Sequence, residues 1–402
     1  MKSKVQLFVL LFLVFCLACV IAGCSTHHKA KGDDDTAADD DAVQDDDATD
    51  DDSADDDTGP YYDPTWAVST DVLPEIRGLK TIRGIIHAHS WYSHDACDNN
   101  PVGNTECLAQ MREAFCTTKQ DYIMLSDHGT MFADHEYPDV LLYEADQGDQ
   151  LLFDEENLPI ANRITCPDNS VVTLMAGTEN DIMPIHIHHH PAGTIDERHA
   201  LYSRTDPAVV PLLHDLGATL IVQHDEEWTT DNLKALAPDG IEIFNLHAAI
   251  APNLRPNLGL PSLDFVANVL SFMTDPKKPA PNLMIMTFWP ETTAWSDRWD
   301  ALLGVQKTYA TAGTDCHRNA LPFPLSDGER ADGYRRMMQF FSNWIKVTGE
   351  EPADLEDGID NGRLMAVFEF LGFPMGFDFY ATDGKTDYEM GEDITMHSGL
   401  TI

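Results

Sequence analysis

The chain has 402 residues, 43% of them hydrophobic, and carries 68 Asp and Glu against 25 Lys and Arg for a formal net charge of -43. That length accommodates an α/β barrel of about 250 residues with appendages, so core size sets no limit. So acidic a chain lacks the basic footprint that nucleic-acid binding needs, and no nucleic-acid partner is expected.

The chain opens with Lys2 and Lys4, an apolar run from Val5 to Ala22, and Ile21-Ala22-Gly23-Cys24. This reads as a signal peptide over residues 1–23; the alternative is a retained anchor, since the run approaches the ~18 apolar residues that suggest a span. Two small residues before a cysteine resemble the lipobox of bacterial lipoproteins, which implies cleavage before Cys24, lipidation of Cys24 and a tether to the membrane. By the same resemblance Ser25 points to the outer membrane. Asp33–Asp57 then holds fifteen aspartates in triplets separated by Ala, Thr, Ser, Val and Gln. Such a segment buries no core and is extended by its own repulsion, so residues 24–62 are expected to be a disordered tether, with Ca²⁺ binding by the triplets as the alternative.

Beyond the tether, strand-type runs alternate with segments of helical period. The strands are expected at Thr81–Ala88, Asp121–Ser126, Ser170–Gly177, Ala218–Gln223, Gly240–Asn245, Asn282–Phe288 and Tyr309–Gly313. Helices are expected at Glu106–Thr117, Pro207–Leu216, Leu263–Thr274, Asp297–Gln306, Arg335–Val347 and Asn361–Leu371. The strand runs are apolar with little alternation, as in strands covered on both faces, and the repeated strand-then-helix order predicts βα units around a parallel, closed or nearly closed barrel. No Gly-rich phosphate loop follows the first strand, which argues against a dinucleotide fold. The barrel domain is placed at residues 63–380, with an acidic, Leu-rich insertion at its rim near 134–168 and a C-terminal tail at 381–402. Of the eight cysteines, five lie outside the signal and anchor, and in an oxidising compartment Cys97 and Cys107 are the preferred pair, with Cys316 left over.

The chemistry gathers at strand ends. His87 and His89 close the first strand, where residues two apart face one way and can grip one ion. Asp95 follows, beside His94. The next strands end in Ser126-Asp127-His128-Gly129, Gly177-Thr178-Glu179, Gln223-His224-Asp225, Glu242-Ile243-Phe244-Asn245 and Gly313-Thr314-Asp315-Cys316-His317. In a parallel barrel these ends open on one rim, so the groups converge on one pocket. Imidazole with carboxylate suits Zn²⁺, Mn²⁺ or Fe²⁺, and Glu179 can bridge two ions. Cys316 alternates with its neighbours and should face away as core.

As a set, these motifs between Arg83 and Asn319 resemble the PHP family, named for polymerase and histidinol phosphatase. The resemblance implies a distorted (β/α)7 barrel binding two or three divalent metal ions. It implies one ion on His87, His89, Glu179 and Asp315; a second on Glu179, His224 and a histidine of the His186–His190 run; and a third on Asp95, His128 and His317. Within that run the spacing favours His188, with His186 and His190 open. His94 is a substrate contact or substitute ligand. Asp127 is a supporting hydrogen-bond partner or a strand-end cap, Glu242 and Asn245 line the pocket, and Arg318 or Arg198 is available to a phosphate. His247 stays undecided between pocket and structure.

The expected function is an exported, metal-dependent hydrolase of a small-molecule ester, a phosphoester foremost, with carboxylic or carbamate esters as the alternative. A non-catalytic metal-binding envelope lipoprotein and an envelope-assembly module on a degenerate barrel are the competing classes. The aromatics of Tyr334–Trp344 are expected to be core on an amphipathic outer helix.

Overall fold

The structure is a computed structural model that describes residues 67–99, 102–250, 255–258, 281–282, 288 and 294–402. The expected signal, lipid anchor and tether lie outside the described residues, as do the expected helix Leu263–Thr274 and all but the ends of the expected strand Asn282–Phe288.

The strands used below are β1 Lys80–Ala88, β2 Tyr122–Met124, β3 Asp127–His128, β4 Gln150–Phe153, β5 Pro159–Thr165, β6 Val171–Met175, β7 Thr178–Glu179, β8 Met183–Ile185, β9 Thr219–Val222, β10 Gly240–Asn245, β11 Tyr309–Cys316, β12 Ser342–Val347, β13 Leu364–Val367, β14 Tyr380–Thr382 and β15 Asp387–Glu389. The order β6-β2-β1-β11-β10-β9-β8 forms a seven-stranded ring, parallel except for β8, which pairs antiparallel with β9. Its seam closes just past β8 and β6, where the Ile187 amide donates to the Ala176 carbonyl at 2.7 Å. This is a distorted α/β barrel. The hairpin β4–β5 extends the sheet outward from β6.

Side-chain alternation builds two cores. Ile82, Ile86, Tyr122, Met124, Met175, Ile185 and Ile221 pack together in one cluster. Ile85, Ile123, Leu125, Leu174, Leu220 and Val222, one residue out of step, pack in the other with Leu108, Met111 and Phe115 of the helix Thr105–Thr117. Gly84 is required by this packing, because a Cβ there would lie 2.2 Å from the Tyr122 carbonyl oxygen. Two disulfides, Cys97–Cys107 and Cys116–Cys166, flank that helix, and Cys316 is a free, buried thiol in the outer core.

The region after Arg330 corrects the sequence reading. Only Tyr334–Met338 is helical; Ser342–Val347 is β12, antiparallel to the first half of β1 from Lys80↔Val347 to Gly84↔Asn343. The expected helix Asn361–Leu371 is instead β13 followed by a single tight turn, and the helix lies earlier, at Pro352–Asp360. The physical reason is burial on every side: all six residues of β12 are buried, which a strand inserted beside β1 achieves and an outer amphipathic helix does not. Phe340, Phe341 and Trp344 are buried, as expected of them.

Candidate metal centre

The first strand delivers His87 and His89 to the same place by breaking its own alternation. Ile86 belongs to the inner cluster and Ala88 to the outer one, so a regular strand would turn His87 outward. Instead the register with β11 shifts between Ile86 and Ala88, and His87 takes a left-handed φ of 77°. The bulge swings both imidazoles inward. His224 and Asp315 also adopt positive φ, 47° and 50°, so the strain sits on the residues that converge.

At the centre, His87 Nε2 lies 3.2 Å from Glu179 Oε2 and 3.3 Å from Asp315 Oδ1, and His89 Nε2 lies 2.9 and 3.3 Å from the same two oxygens. All four side chains are buried. His87 Nε2, Glu179 Oε2 and Asp315 Oδ1 are buried atoms without a hydrogen-bond partner, although they face one another. Donors of one tetrahedral ion bound at ~2.1 Å would stand ~3.4 Å apart, so this spacing fits a shared cation.

The other oxygens of the same carboxylates face His224, whose Nε2 lies 3.6 Å from Glu179 Oε1 and 3.2 Å from Asp315 Oδ2. On the opposite side, Asp95 Oδ1 lies 3.4 Å from both His128 Nε2 and His317 Nε2, which are 3.5 Å apart. The His317 ring stacks on His89 with centroids 3.7 Å apart. His94, exposed, groups with Asp95 and His128. Glu179 and Asp315 therefore join the donor groups into one chain.

Charge balance explains the protonation preferences. Burial opposes ionisation of Glu179, yet the imidazoles of His87 and His89 outweigh it and hold the carboxyl well below the usual range. Asp315 is held low in the same way by His87, His247 and His317. Burial pulls His128 down, but the hydrogen bond to Asp95 and the charge on Glu179 raise it to about 9. The imidazoles and carboxylates of the rim thus offset one another's charge.

A ring of polar side chains fixes the imidazoles. His87 Nδ1 donates to Glu242 Oε2 at 2.7 Å, and Asn245 Nδ2 donates to Glu242 Oε1 at 2.7 Å. His89 Nδ1 pairs with Ser93 Oγ at 2.8 Å, and Ser93 in turn donates to Asp127, which also accepts from the Ser90 amide at 2.6 Å and the Ser90 hydroxyl at 2.7 Å. His224 Nδ1 donates to Glu226 Oε1 at 3.0 Å. Each leaves Nε2 free to face the centre, the arrangement in which a carboxylate or hydroxyl orients a metal-binding histidine. Arg318 lines a small depression with His247, Asp315 and His317.

His188 is the expected ligand that does not arrive. Because β8 runs opposite to β9, the chain leaving β8 emerges at the N-terminal mouth of the barrel, where His188 Nε2 meets Glu356 Oε1 at 2.7 Å and the His188 amide bonds the Leu216 carbonyl. His186 lies there too, and His190 is held by Tyr202 and the His135 carbonyl. Arg198 pairs with Glu136 on the surface. In place of His188 the rim gains His247, whose Nδ1 lies 3.8 Å from Asp315 Oδ2 and which groups with Asp315 and His317. Glu226, buried beside the Asp225 already named at that strand end, escaped the sequence reading; its position two residues after His224 was the available signal.

The fold and site together define an α/β barrel whose rim carries adjoining groups of His and carboxylate side chains suited to divalent metals, the arrangement that the PHP resemblance implies. No protein-family model and no curated protein sequence matches the chain. Among solved structures, it is similar to a two-domain protein containing a predicted PHP-like metal-dependent phosphoesterase from Bacteroides vulgatus, at 14% identity and a TM-score of 0.38 over 75% of this chain and 69% of that one. It is also similar to PsfC from Pseudomonas syringae, at 11% identity and a TM-score of 0.35 over 72% of this chain and 91% of that one. A third similar structure is the lesion-specific endonuclease EndoQ from Pyrococcus furiosus, at 10% identity and a TM-score of 0.36 over 77% of this chain and 64% of that one. The chemistry is carried by this chain's own residues.

Proposed function

We propose that the chain is an exported, lipid-anchored, metal-dependent hydrolase that cleaves a phosphoester of a small molecule. The observation that carries the reading is the run of adjoining donor groups at one rim, linked through both oxygens of Glu179 and Asp315. His87, His89, Glu179 and Asp315 would hold one divalent ion, His224 with Glu179 and Asp315 a second, and Asp95, His128 and His317 a third. Bound there, Zn²⁺, Mn²⁺ or Fe²⁺ supplies a hydroxide at neutral pH and offsets negative charge developing on ester oxygens.

The chain's own residues do the rest. Glu242, Ser93 and Glu226 fix the tautomers of His87, His89 and His224. Arg318, which lines a depression with His317 and His247, would donate to a phosphate oxygen, and the exposed His94, grouped with Asp95 and His128, would meet the leaving group. No serine or cysteine nucleophile is called for: Cys316 packs in the outer core. Export and lipidation at Cys24 rest on the Lys2, Lys4 and apolar-run pattern.

The test is metal content together with a panel of p-nitrophenyl phosphate, a p-nitrophenyl phosphodiester, p-nitrophenyl acetate and a short DNA oligonucleotide, with and without chelator. Chelator-sensitive cleavage of a phosphate ester, lost in His87→Ala with His89→Ala, is the expected result. Cleavage of acetate alone would move the reading to a carboxylic ester, and bound metal without any cleavage would favour a binding lipoprotein. Mass spectrometry of the mature N-terminus checks the lipid on Cys24.

A further inference from the structure

A separate group of metal-type donors lies at the opposite mouth of the barrel. His186, His188 and Glu356 each offer one ligand atom, and those atoms lie within 4.8 Å of one another. They come from two elements: the histidines from the segment leaving β8, and Glu356 from the helix Pro352–Asp360 that packs beside β12. His188 Nε2 stands 2.7 Å from Glu356 Oε1. His186 is 2% exposed; its Nε2 pairs with Thr219 Oγ1 at 2.9 Å, and its Nδ1 is buried without a hydrogen-bond partner. The Thr219 hydroxyl donates in turn to Asp360 Oδ1 at 2.5 Å, one helical turn beyond Glu356.

Two features mark this as a built arrangement. His186 has a φ of 45°, the same left-handed geometry that His87, His224 and Asp315 adopt at the rim. Gly217 makes room for the His188 ring: a Cβ there would sit 2.7 Å from His188 Cγ. His188 and Glu356 remain partly open to solvent, which leaves a face for a water ligand.

We propose that His186, His188 and Glu356 bind one divalent transition-metal ion of the zinc class, independently of the rim centre. Two imidazoles and one carboxylate are a donor set that suits such ions, with water completing the coordination. The position gives the ion a task. Ile187, between the two histidines, is the residue whose amide closes the barrel seam onto Ala176. An ion joining that segment to the helix Pro352–Asp360 clamps the seam on the side away from catalysis.

The experiment uses the full chain loaded with Zn²⁺ or with Co²⁺. Glu356→Gln and His188→Gln are made separately, because both positions are partly exposed and both changes conserve size. Each variant should bind about one equivalent less metal than the wild type, lose part of the Co²⁺ visible absorption and melt at a lower temperature, while turnover at the rim is unchanged. Folded variants with the wild-type stoichiometry and Co²⁺ spectrum would overturn the proposal. The reciprocal variant, with His87, His89, His128, His224 and His317 all replaced by Ala, should keep one equivalent that is lost on adding Glu356→Gln, and complete loss of metal from that rim variant, folded by circular dichroism, would overturn it equally.

Discussion

The carboxylate of Glu242 accepts a hydrogen bond from His87 Nδ1 at 2.7 Å, and the backbone that makes room for it is Gly313, where a Cβ would stand 1.7 Å from Glu242 Oε2. Glu242 on β10 and Gly313 on β11 thus act as one unit that turns His87 Nε2 toward Glu179 and Asp315. Replacing Glu242 by Gln keeps the size but removes the charge that supports the imidazole as a ligand. Metal affinity is expected to fall about 10–100-fold, as for partners of this kind elsewhere. Gly313→Ala should give a comparable loss by displacing Glu242, although it alters no polar group. Competition titration with a chelating dye measures both; an unchanged affinity in Gly313→Ala would show that Glu242 does not orient His87.

Metal removal should destabilise the domain. The carboxylates of Glu179 and Asp315 and the imidazoles of His87 and His89 are packed within 3.3 Å with no water-facing route to relax. An ion that binds only the folded chain stabilises it by about 3–4 kcal/mol at 100 to 1,000 times its dissociation constant. A chelator should lower the melting temperature and added Zn²⁺ or Mn²⁺ should restore it, whereas a melting temperature indifferent to both would remove the centre from the stability of the fold.

Much of the rim was legible because a parallel barrel makes position do the work of recognition. His87, His128, Glu179, His224 and Asp315 each follow an apolar strand run, and strand ends converge whatever the loops between them do. What local sequence does not carry is strand direction. The His186–His190 run looks like a ligand source, but β8 runs against β9 and carries His186 and His188 to the far mouth, while His190 packs against Tyr202 and the His135 carbonyl. The same blindness misread β12: Phe340, Phe341, Trp344 and Ile345 suit an apolar helix stripe as well as a strand, and only the antiparallel pairing with β1 decides between them. His247 was illegible for another reason. It sits in a helix, Leu246–Ile250, where a lone histidine has no strand end to give it direction.

The C-terminal residues are tied to the barrel by a charge network that should be visible in acid. Asp378 accepts from Arg77 Nη2 at 2.7 Å and from Lys346 Nζ at 2.6 Å, while Arg77 also pairs with Glu389 on β15. The Arg77 hydrogen bond, helped by Lys346, lowers the Asp378 carboxyl to about 2. A carboxyl depressed on folding contributes stability above its unfolded value near 4, and that contribution is lost as pH falls toward 2. Asp378→Asn removes it at every pH and leaves Lys346, only 2% exposed at its side chain, with Glu389 at 3.7 Å. A loss of about 2 kcal/mol at pH 7 is expected, below the usual range for a broken buried pair because Glu389 remains. Urea unfolding at pH 7 and pH 2.5 should show the difference between wild type and variant shrinking in acid; an equal gap at both would assign the effect to packing.

The Cys116–Cys166 disulfide and the free Cys316 thiol should differ in how much each contributes to stability. Cys116 ends the helix Thr105–Thr117 and Cys166 follows β5, so their bond joins the helix to the β4–β5 hairpin across a sequence separation of 50. By loop-closure entropy a cross-link of that span is worth up to about 4 kcal/mol, an upper figure because unfolded chains retain structure. Cys116→Ala with Cys166→Ala should therefore cost about 2–4 kcal/mol in chemical denaturation and loosen the hairpin first, seen as faster amide exchange at Leu152 and Ala161 than at Ile86. Cys316→Ala should not follow that pattern: its thiol is free, lies at 0% exposure in the outer core and closes no loop, so the change removes one sulfur from packing and stays near 1 kcal/mol. In the folded protein Cys316 should resist thiol reagents that label it fully after denaturation. Rapid labelling in the native state would mean that β11 opens locally beside Asp315 and His317, and the rim donors would then be far less fixed than their burial indicates.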